Sequence, residues 1–239
     1  MGNFTVTYLP NYHNHSITQY FMAKVIIFGI LDTAELAHFY LTHDSEHEVA
    51  AFAVNREYIN ESASFKGLPL VAFEDVETIF PPGEYHFFAP MTGRGMNKNR
   101  ERVYLEAKAK GYPFISYISS KVTMFGNEIG ENCFILEDNT IQPFTTIGNN
   151  VVLWSGNHIG HHGRIDDHVF FTSHVVMSGH CHIGSYSFFG VNSTIRDYLK
   201  VAEGTLLGMA SALYKDSDPW GVYIGNPPKK LPKPSYETY

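Results

Sequence analysis

A hydrophobic position returns at every sixth residue of this chain from Ile129 to Leu213. The fifteen residues at these positions are Ile129, Ile135, Ile141, Ile147, Leu153, Ile159, Ile165, Phe171, Met177, Ile183, Phe189, Ile195, Val201, Leu207 and Leu213. In a chain that is 44% hydrophobic, such a run would arise by chance with a probability of roughly 10⁻⁵. A period of six fits neither an α-helix nor a single alternating strand, and it predicts a parallel β-helix.

Two further columns follow the same period. Four places after most of these positions the residue is small or β-branched, as at Cys133, Val151, Val169 and Cys181, and glycine is frequent one place after them. With three hexads per turn, residues 129–212 would form between four and five triangular coils. Both hydrophobic columns would then face the interior, and the remaining positions would be free to carry chemistry.

Residues 24–120 show a different pattern, in which short apolar strands alternate with helical stretches. The predicted strands are Val25–Phe28, Glu48–Val54, Val71–Phe73, Tyr85–Ala89 and Phe114–Ile118, and the predicted helices cover residues 33–42 and 97–110. Alternation of this kind predicts βαβ units around a small parallel sheet, that is, a Rossmann-like α/β domain.

The pattern divides the chain into four parts. Residues 1–23 form an extension without the charged and apolar regions of a signal peptide. Residues 24–120 are the α/β domain, 121–213 the β-helix, and 214–239, which are rich in Pro, Gly and Lys, a cap or tail. We expect the α/β domain to hold a substrate and the β-helix to carry the chemistry.

Composition narrows the function classes. The net charge is −7 and only 17% of residues are charged, so the chain lacks the basic footprint of a nucleic-acid-binding protein. No apolar run approaches the ~18 residues of a membrane span. The two cysteines, Cys133 and Cys181, share the inward column and are expected to be buried and unpaired. This usage predicts a cytoplasmic protein without a disulfide framework.

Two turns of the α/β domain are candidates for binding a phosphorylated substrate. Gly29 ends the first strand, although Asp32 stands where a dinucleotide fingerprint would have glycine, and a plain βα connection capped by Asp32 or Thr33 remains open. The second turn, Met91–Asn97, contains two glycines and a cation and again precedes a helix. The predicted substrate-binding residues are Gly29, Asp32, Thr92, Gly93 and Arg94.

Seven histidines lie between positions 158 and 182. Four of them, His162, His168, His174 and His180, fall three places after a ladder position, beside the inward column, and are interpreted as mainly structural. Because one coil takes eighteen residues, His162 and His180 are expected to stack. His161 differs, because it falls two places after the ladder, at a corner flanked by glycines that permit close approach of a ligand. A neutral imidazole there could accept a proton from an attacking amine or hydroxyl.

A metal site is the rival interpretation of the histidines. The γ-type carbonic anhydrases are also β-helix proteins, and they hold zinc with three histidines, one of them about two coils before the others. In this chain no histidine lies between His86 and His158, so the early ligand is missing. The sequence therefore predicts no resident metal.

The hexad ladder, the Gly160-His161-His162 turn and the closing Val222–Pro228 segment resemble the hexapeptide-repeat acyltransferases. With an α/β domain in front, residues 24 to about 231 resemble the subgroup of sialic-acid O-acetyltransferases and bacillosamine N-acetyltransferases. The resemblance implies a left-handed β-helix. It also implies a homotrimer, with acetyl-CoA bound between neighbouring solenoids.

The resemblance also implies roles for individual residues. His161 falls on the catalytic position, and Gly179 on the glycine whose amide binds the thioester oxygen. Gly208 and Met209 lie where the pantetheine arm runs, and Gly225 and Pro228 belong to the closing segment near coenzyme A. The family's orienting acid is replaced by His162. Asn157, Asp166, Asp167 or an acid of a neighbouring subunit could take its place.

From these features we expect an acetyl-CoA-dependent N-acetyltransferase that acts on an amino sugar linked to a nucleotide. Direct transfer would use His161 as the general base and the Gly179 amide as the oxyanion donor. Two alternatives stay open at this point. One is O-acetylation of a sugar hydroxyl, and the other is a non-catalytic β-helix protein that binds sugar nucleotides.

Overall fold

The structure is a computed structural model that describes residues 22–59 and 61–238. It consists of an α/β domain followed by a left-handed parallel β-helix, as the sequence predicted. The N-terminal extension, predicted to span residues 1–23, lies outside the described residues except for Met22 and Ala23.

The α/β domain is built around one sheet. Its strands are β1 (Lys24–Phe28), β2 (Glu48–Val54), β3 (Ser64–Phe65), β4 (Leu68–Ala72) and β5 (Tyr85–Phe88), and its helices are α1 (Asp32–His43), α2 (Val76–Ile79) and α3 (Lys98–Ala109). The spatial order is β3-β4-β2-β1-β5, and all pairs are parallel except β3–β4. Since the strand order reverses at β1, the carboxyl ends of β1 and β5 flank the place where sheets of this kind open a crevice for ligands.

The solenoid is built from strands of two residues joined by tight turns. These strands are β6 (Tyr117–Ile118), β7 (Phe134–Ile135), β8 (Thr140–Ile141), β9 (Thr146–Ile147), β10 (Val152–Leu153), β11 (His158–Ile159), β12 (Arg164–Ile165), β13 (Phe170–Phe171), β14 (Val176–Met177), β15 (His182–Ile183), β16 (Phe188–Phe189), β17 (Thr194–Ile195), β18 (Lys200–Val201), β19 (Leu206–Leu207) and β20 (Ala212–Leu213). A final hairpin comprises β21 (Val222–Gly225) and β22 (Pro228–Lys230).

From β7 to β20 the paired strands are eighteen residues apart, which produces three faces. We call them the covered face (β6, β7, β10, β13, β16, β19, β21, β22), the neutral face (β8, β11, β14, β17, β20) and the charged face (β9, β12, β15, β18). The charged face is named for its outward residues Arg164, His182 and Lys200. The outward residues of the neutral face, such as Val176 and Thr194, carry no formal charge.

The two hydrophobic columns form one continuous interior. Ladder residues from Ile135 to Leu213 are buried and pack in a single cluster, and both cysteines belong to it. Burial raises the pKa of the Cys133 thiol to about 11 and also raises that of Cys181, so both are unreactive thiols in neutral solution. The prediction of two buried, unpaired cysteines is confirmed.

The corners of the triangle lie at the second and third places after each ladder position. The third residue almost always has positive φ: His162 (53°), His168 (64°), His174 (59°) and His180 (59°) follow this rule. The placement of these histidines beside the inward column is confirmed, since Val169, Val175 and Cys181 directly after three of them are buried, and the structure adds that the histidines lie at the corners. They are turn residues in the left-handed conformation, a backbone that short polar side chains and His adopt more readily than most.

Two predicted boundaries shift. Residues Phe114–Ile118 were expected to be a strand of the α/β sheet, but only Phe114 bridges that sheet, at Phe87, and β6 pairs with β7 of the solenoid. At the other end, residues after Tyr214 were expected to leave the helix. Instead β21 returns to the covered face, where Val222 pairs with Leu206. The hydrophobic period missed both strands because neither is spaced six residues from its neighbour on the ladder.

The α/β domain sits on the covered face. The outward residues Phe134, Val152, Phe170 and Phe188 are buried against the α/β domain in one cluster. Arg100 of α3 is completely buried at the edge of this joint. Its guanidinium donates to the carbonyls of Asn150 (3.0 Å), His168 (3.2 Å) and Val169 (3.3 Å), so the helix is fastened to two successive coils.

Candidate active site

His161 lies at the corner between β11 of the neutral face and β12 of the charged face. We call this corner, which continues through successive coils at Phe144, His180 and Tyr198, the open corner, because it is opposite the covered face and its side chains are exposed. The backbone of His161 is held on both sides. Its amide donates to Gln142 Oε1 of the preceding coil (3.1 Å), and its carbonyl accepts from the His180 amide of the next coil (2.9 Å).

Gly179 lies directly beneath the His161 ring, one coil further along. A Cβ at position 179 would come within 2.8 Å of His161 Cε1 and 2.9 Å of Nε2, which is closer than real Cβ atoms approach. Only glycine therefore lets this imidazole rest on the backbone of the next coil. Among residues 22–59 and 61–238, no acceptor is bonded to the Gly179 amide. A ring nitrogen that can take a proton and an uncommitted N–H donor are thus placed side by side.

His162 contacts the catalytic candidate directly. His161 Nδ1 and His162 Nδ1 are 3.0 Å apart, a hydrogen-bond distance, so one of the two must carry the proton and the other must accept it. Both side chains are exposed. The structure therefore places a hydrogen-bonding partner beside His161, and it is the residue that the resemblance puts in the position of an orienting acid.

An aromatic stack fixes the ring of His162. It lies between Phe144 of the preceding coil, with ring centroids 4.6 Å apart, and His180 of the next, at 4.9 Å and with planes only 12° from parallel. His180 in turn stacks on Tyr198 at 4.5 Å. The predicted stacking of His162 and His180 is confirmed, and the stack extends over four coils.

One nitrogen of each of His161, His162 and His180 lies within 4.8 Å of the others. Nitrogen lone pairs lie in the plane of an imidazole ring, so the parallel rings of His162 and His180 cannot both point at one ion unless the stack breaks. The absence of a resident metal stays a prediction, and no step below uses one.

The other candidates for orienting His161 are engaged elsewhere. Asn157 is buried; its Oδ1 accepts from the Val175 amide (2.7 Å) and its Nδ2 donates to the Trp154 carbonyl. Asp166 pairs with Arg164 and His182, and Asp167 accepts from the Asn149 amide at another corner. Asn157 therefore holds successive coils together, and its predicted catalytic role has no support from its contacts.

The predicted cofactor residues fall in two places. Gly179 is at the open corner, whereas Met209 lies at the opposite edge of the neutral face, where its side chain is 77% exposed. Gly208 and Gly225 are close to Met209, but their amides are already bonded, to the Tyr223 carbonyl and to Ser211 Oγ respectively. Pro228 pairs with Gly225 in the closing hairpin. A ligand that touches all of these positions on one chain would have to cross the neutral face.

The predicted substrate residues mostly come together in a cavity of about 630 Å³ at the carboxyl ends of the α/β sheet. Its lining includes Gly29 and Asp32 after β1, Asn55 after β2, and Thr92 and Arg94 after β5; Tyr58 and Arg102 complete one wall. This is the crevice that the strand order predicts. The cavity offers an apolar floor, a carboxylate and two guanidinium groups.

Gly93 is the exception. It faces the solenoid, and a Cβ there would come within 2.8 Å of the Phe188 ring. Asn97, at the end of the same loop, is buried and donates to the Tyr186 carbonyl (3.0 Å). The loop therefore has a double role. Thr92 and Arg94 line the cavity, while Gly93 and Asn97 fasten the loop to the covered face.

Sequence reasoning missed Gln142, Phe144 and Tyr198 at the open corner. A signal for the two aromatic residues was present, because positions 144, 162, 180 and 198 are spaced by one coil and all carry rings. For Gln142 there was none, since its role depends on a contact with the next coil.

None of the helices in the described part of the chain is long and apolar enough to cross a bilayer.

The repeat of the solenoid is similar to that of a known protein family. The family described as bacterial transferase hexapeptide (six repeats) matches residues 128–161, so the resemblance stated for the ladder is confirmed for this segment. A curated relative, an acyl-[acyl-carrier-protein]–UDP-N-acetylglucosamine O-acyltransferase of Burkholderia thailandensis, is 35% identical over 101 residues. That match spans 37% of this chain and 38% of the relative.

Solved structures extend the likeness to both domains. A variant of perosamine N-acetyltransferase from Caulobacter crescentus, in complex with CoA and GDP-perosamine, has a TM-score of 0.77 at 17% identity, over 88% of this chain and 97% of that one. The acetyltransferase domain of PglB from Neisseria gonorrhoeae, in complex with acetyl coenzyme A, has a TM-score of 0.75 at 18% identity, over 88% and 100%. At this identity the likeness establishes the fold: a small α/β domain followed by the β-helix.

Proposed function

We propose that this protein is an acetyl-CoA-dependent N-acetyltransferase that acts on an amino sugar linked to a nucleotide. The observation that carries the proposal is the His161–Gly179 pair, in which the imidazole rests on the backbone of a glycine whose amide has no acceptor among the described residues. The solved relatives with both domains include sugar N-acetyltransferases holding CoA, acetyl coenzyme A or GDP-perosamine. Acyl transfer to a sugar is the chemistry that best uses such a pair.

The acetyl thioester supplies the electrophilic carbonyl: the amine nitrogen forms the new C–N bond, the C–S bond breaks, and the thiol of CoA leaves. His161 takes the proton of the attacking amine on Nε2, because its Nδ1 is engaged by His162. The Gly179 N–H donates to the carbonyl oxygen as negative charge develops there, a contribution of several kcal/mol at comparable sites. No covalent enzyme intermediate is proposed, since both cysteines are buried in the interior.

The nucleotide would bind in the cavity of the α/β domain. Arg94 and Arg102 supply the cations that a diphosphate needs, and Asp32 and Asn55 offer hydrogen-bonding groups at the same opening. The cavity lies at the carboxyl ends of β1, β2 and β5, where ligands bind in open α/β sheets.

We propose that the active unit is a homotrimer. The α/β domain covers one face of the solenoid, whereas His161 lies at the corner opposite that face, so the two sites of a single chain lie on different sides of the solenoid. A neighbouring copy would bring a nucleotide cavity to His161. It would also cover apolar groups at and beside the open corner, where Phe144 is 73% and Tyr198 68% exposed. In the same way Gly179 of one copy and Met209 of another could line one acyl-donor groove.

A second candidate, O-acyl transfer to a sugar hydroxyl, is favoured by one observation. The curated relative that is 35% identical over 101 residues is an O-acyltransferase that uses an acyl carrier protein. The same base and oxyanion donor would serve a hydroxyl. Thiol release from acetyl-CoA, measured with a panel of nucleotide-linked amino sugars and their hydroxyl counterparts, separates the two, and mass spectrometry identifies the product.

The decisive variant is His161→Ala. We expect kcat to fall by about 10²–10⁴-fold, the contribution of a general base, because no other group replaces Nε2. His174→Ala, at another corner of the same solenoid, is the matched control and should leave kcat nearly unchanged. Turnover of His161→Ala close to that of the unmodified protein would refute the assignment.

A further inference from the structure

The contact between His161 and His162 determines which group accepts the Nδ1 proton of the base. In the proposed reaction, on which this inference rests, His161 receives a proton on Nε2 and becomes an imidazolium. Its Nδ1 must then carry a proton as well, because a charged imidazole is protonated on both nitrogens. The group 3.0 Å from Nδ1 must accept that proton in a hydrogen bond, and the group is His162 Nδ1.

We infer that His162 is a positioning residue that acts as a neutral hydrogen-bond acceptor, in the place where a carboxylate would otherwise orient the base. Only the tautomer of His162 with its proton on Nε2 has a lone pair on Nδ1 for this role. A neutral acceptor fixes the ring of His161, as a carboxylate does. Unlike a carboxylate, it is lost as an acceptor once it takes a proton of its own.

The neighbours of the His162 side chain are rings. Its ring is stacked on His180, and His161 is edge-on to His180 with centroids 5.1 Å apart, so three imidazoles share one small region. Tyr198 is the next titratable group along the stack. Within the described residues no hydrogen bond or ion pair joins a carboxylate to His161, His162 or His180.

The stack also explains why the acceptor is well aimed. Phe144 and His180 sandwich the His162 ring, and this leaves its in-plane nitrogen directed at His161. Substitution at position 162 can separate ring stacking from hydrogen-bond acceptance, because the backbone of such a corner accommodates both Phe and Asp. Phe144 itself occupies the same corner with φ of 67°, and Asp138 occupies another with φ of 59°.

The experiment compares His162→Phe with His162→Asp. Phe keeps the stack and removes the acceptor, so kcat should fall by about 10–10²-fold with KM changed by less than about twofold. Asp removes the stack and restores an acceptor, so kcat should stay within about threefold of the unmodified protein. His174→Phe, the same substitution at a different corner with a similar backbone (φ of 59°), is the matched control and should leave kcat nearly unchanged.

The pH profile provides a readout that a structural role would not change. In the unmodified protein both His161 and His162 must be neutral for full activity, so log kcat should fall with a slope above one on the acid side until loss of the acceptor has cost its full factor of about 10–10². In His162→Asp only His161 must be neutral and the slope should be about one. Equal turnover of His162→Phe and the unmodified protein, or equal slopes in the unmodified protein and His162→Asp, would overturn the inference. If either of these results were found and His161→Ala were still inactive, the inference about His162 would fail but the proposed function would be retained.

Discussion

His162 and His168 stand one hexad apart, at two corners of the same solenoid, with nearly the same backbone (φ of 53° and 64°). At both corners a ring of the next coil stacks on the histidine: His180 on His162, and Tyr186 on His168. Their surroundings differ completely. His162 is exposed, whereas His168 is 7% exposed beneath α3 at what we call the closed corner, between the charged and covered faces.

At the closed corner the histidine serves the domain joint. Asn150 Nδ2 lies 2.9 Å from His168 Nδ1, Arg100 bonds the His168 carbonyl, and Glu101 of the same helix lies 3.7 Å from Nε2. Burial lowers the pKa of His168, so it is neutral in the folded protein at neutral pH. The repeat therefore provides equivalent positions, and the element that covers a corner determines whether its histidine joins domains or stays exposed.

Arg100→Met is expected to have the largest effect and tests whether the closed corner is structural. Burial lowers the pKa of Arg100 to about 9, so it is charged at neutral pH, and it bonds several carbonyls of the solenoid. Since its loss leaves these buried acceptors unpaired, the free energy of unfolding should fall by about 3–5 kcal/mol in urea titrations. Arg102→Met, on the exposed side of the same helix, should change it by less than about 0.5 kcal/mol. Similar curves for both variants would mean that the joint does not depend on Arg100.

Gly179→Ala tests the open corner. The new Cβ would press against the His161 ring, and kcat should fall by about 10²-fold while the unfolding midpoint stays nearly constant, because the backbone at 179 needs no positive φ. Ser173→Ala is the control. Ser173 occupies the equivalent position, two places after the ladder, at the corner between the covered and neutral faces. If Gly179→Ala kept its activity, the close packing of His161 on this coil would have no catalytic meaning.

The smallest expected effect is a pH dependence of stability at the closed corner. The pKa of His168 is lowered on folding, so on acidification the unfolded chain takes up the proton first. Stability should fall as the pH drops below 6.5, the ordinary value for histidine, at a rate of less than about 1.4 kcal/mol per pH unit. His168→Asn keeps a residue type that already fills this corner at Asn132 and Asn150 and removes the titration. Its unfolding free energy should therefore fall less between pH 7 and pH 5.5; an equal fall would exclude His168 as the cause.

Much of the fold could be predicted from the sequence, because the interior of a solenoid repeats. A six-residue period identified every ladder strand from β7 to β20 and both inward cysteines. It failed at β6 and β21, whose pairing partners are seventeen and sixteen residues away and do not keep the period. Helix α1 and strand β2 were close to their predicted bounds because their apolar pattern is local.

The candidate site was less predictable. His161 could be singled out by counting hexads and Gly179 by the family resemblance, and the structure puts one on the other. Asn157 looked equally suitable as a partner in the sequence, yet its side chain bonds neighbouring coils. Gly93 looked like a phosphate-binding glycine, yet it makes room for Phe188. Both differences concern contacts between residues distant in the chain, which residue type and spacing do not specify.

By itself the sequence determined the repeat, and with it which residues face inward and which lie at corners, because burial of one side chain in every six leaves few alternative structures. Only the tertiary structure decided what each corner became. The α/β domain covers the corner of His168 and leaves that of His162 open, and the stack from Phe144 to Tyr198 directs His162 at His161. The physical reason is that exposure and ring orientation depend on the neighbouring coils and the packed domain.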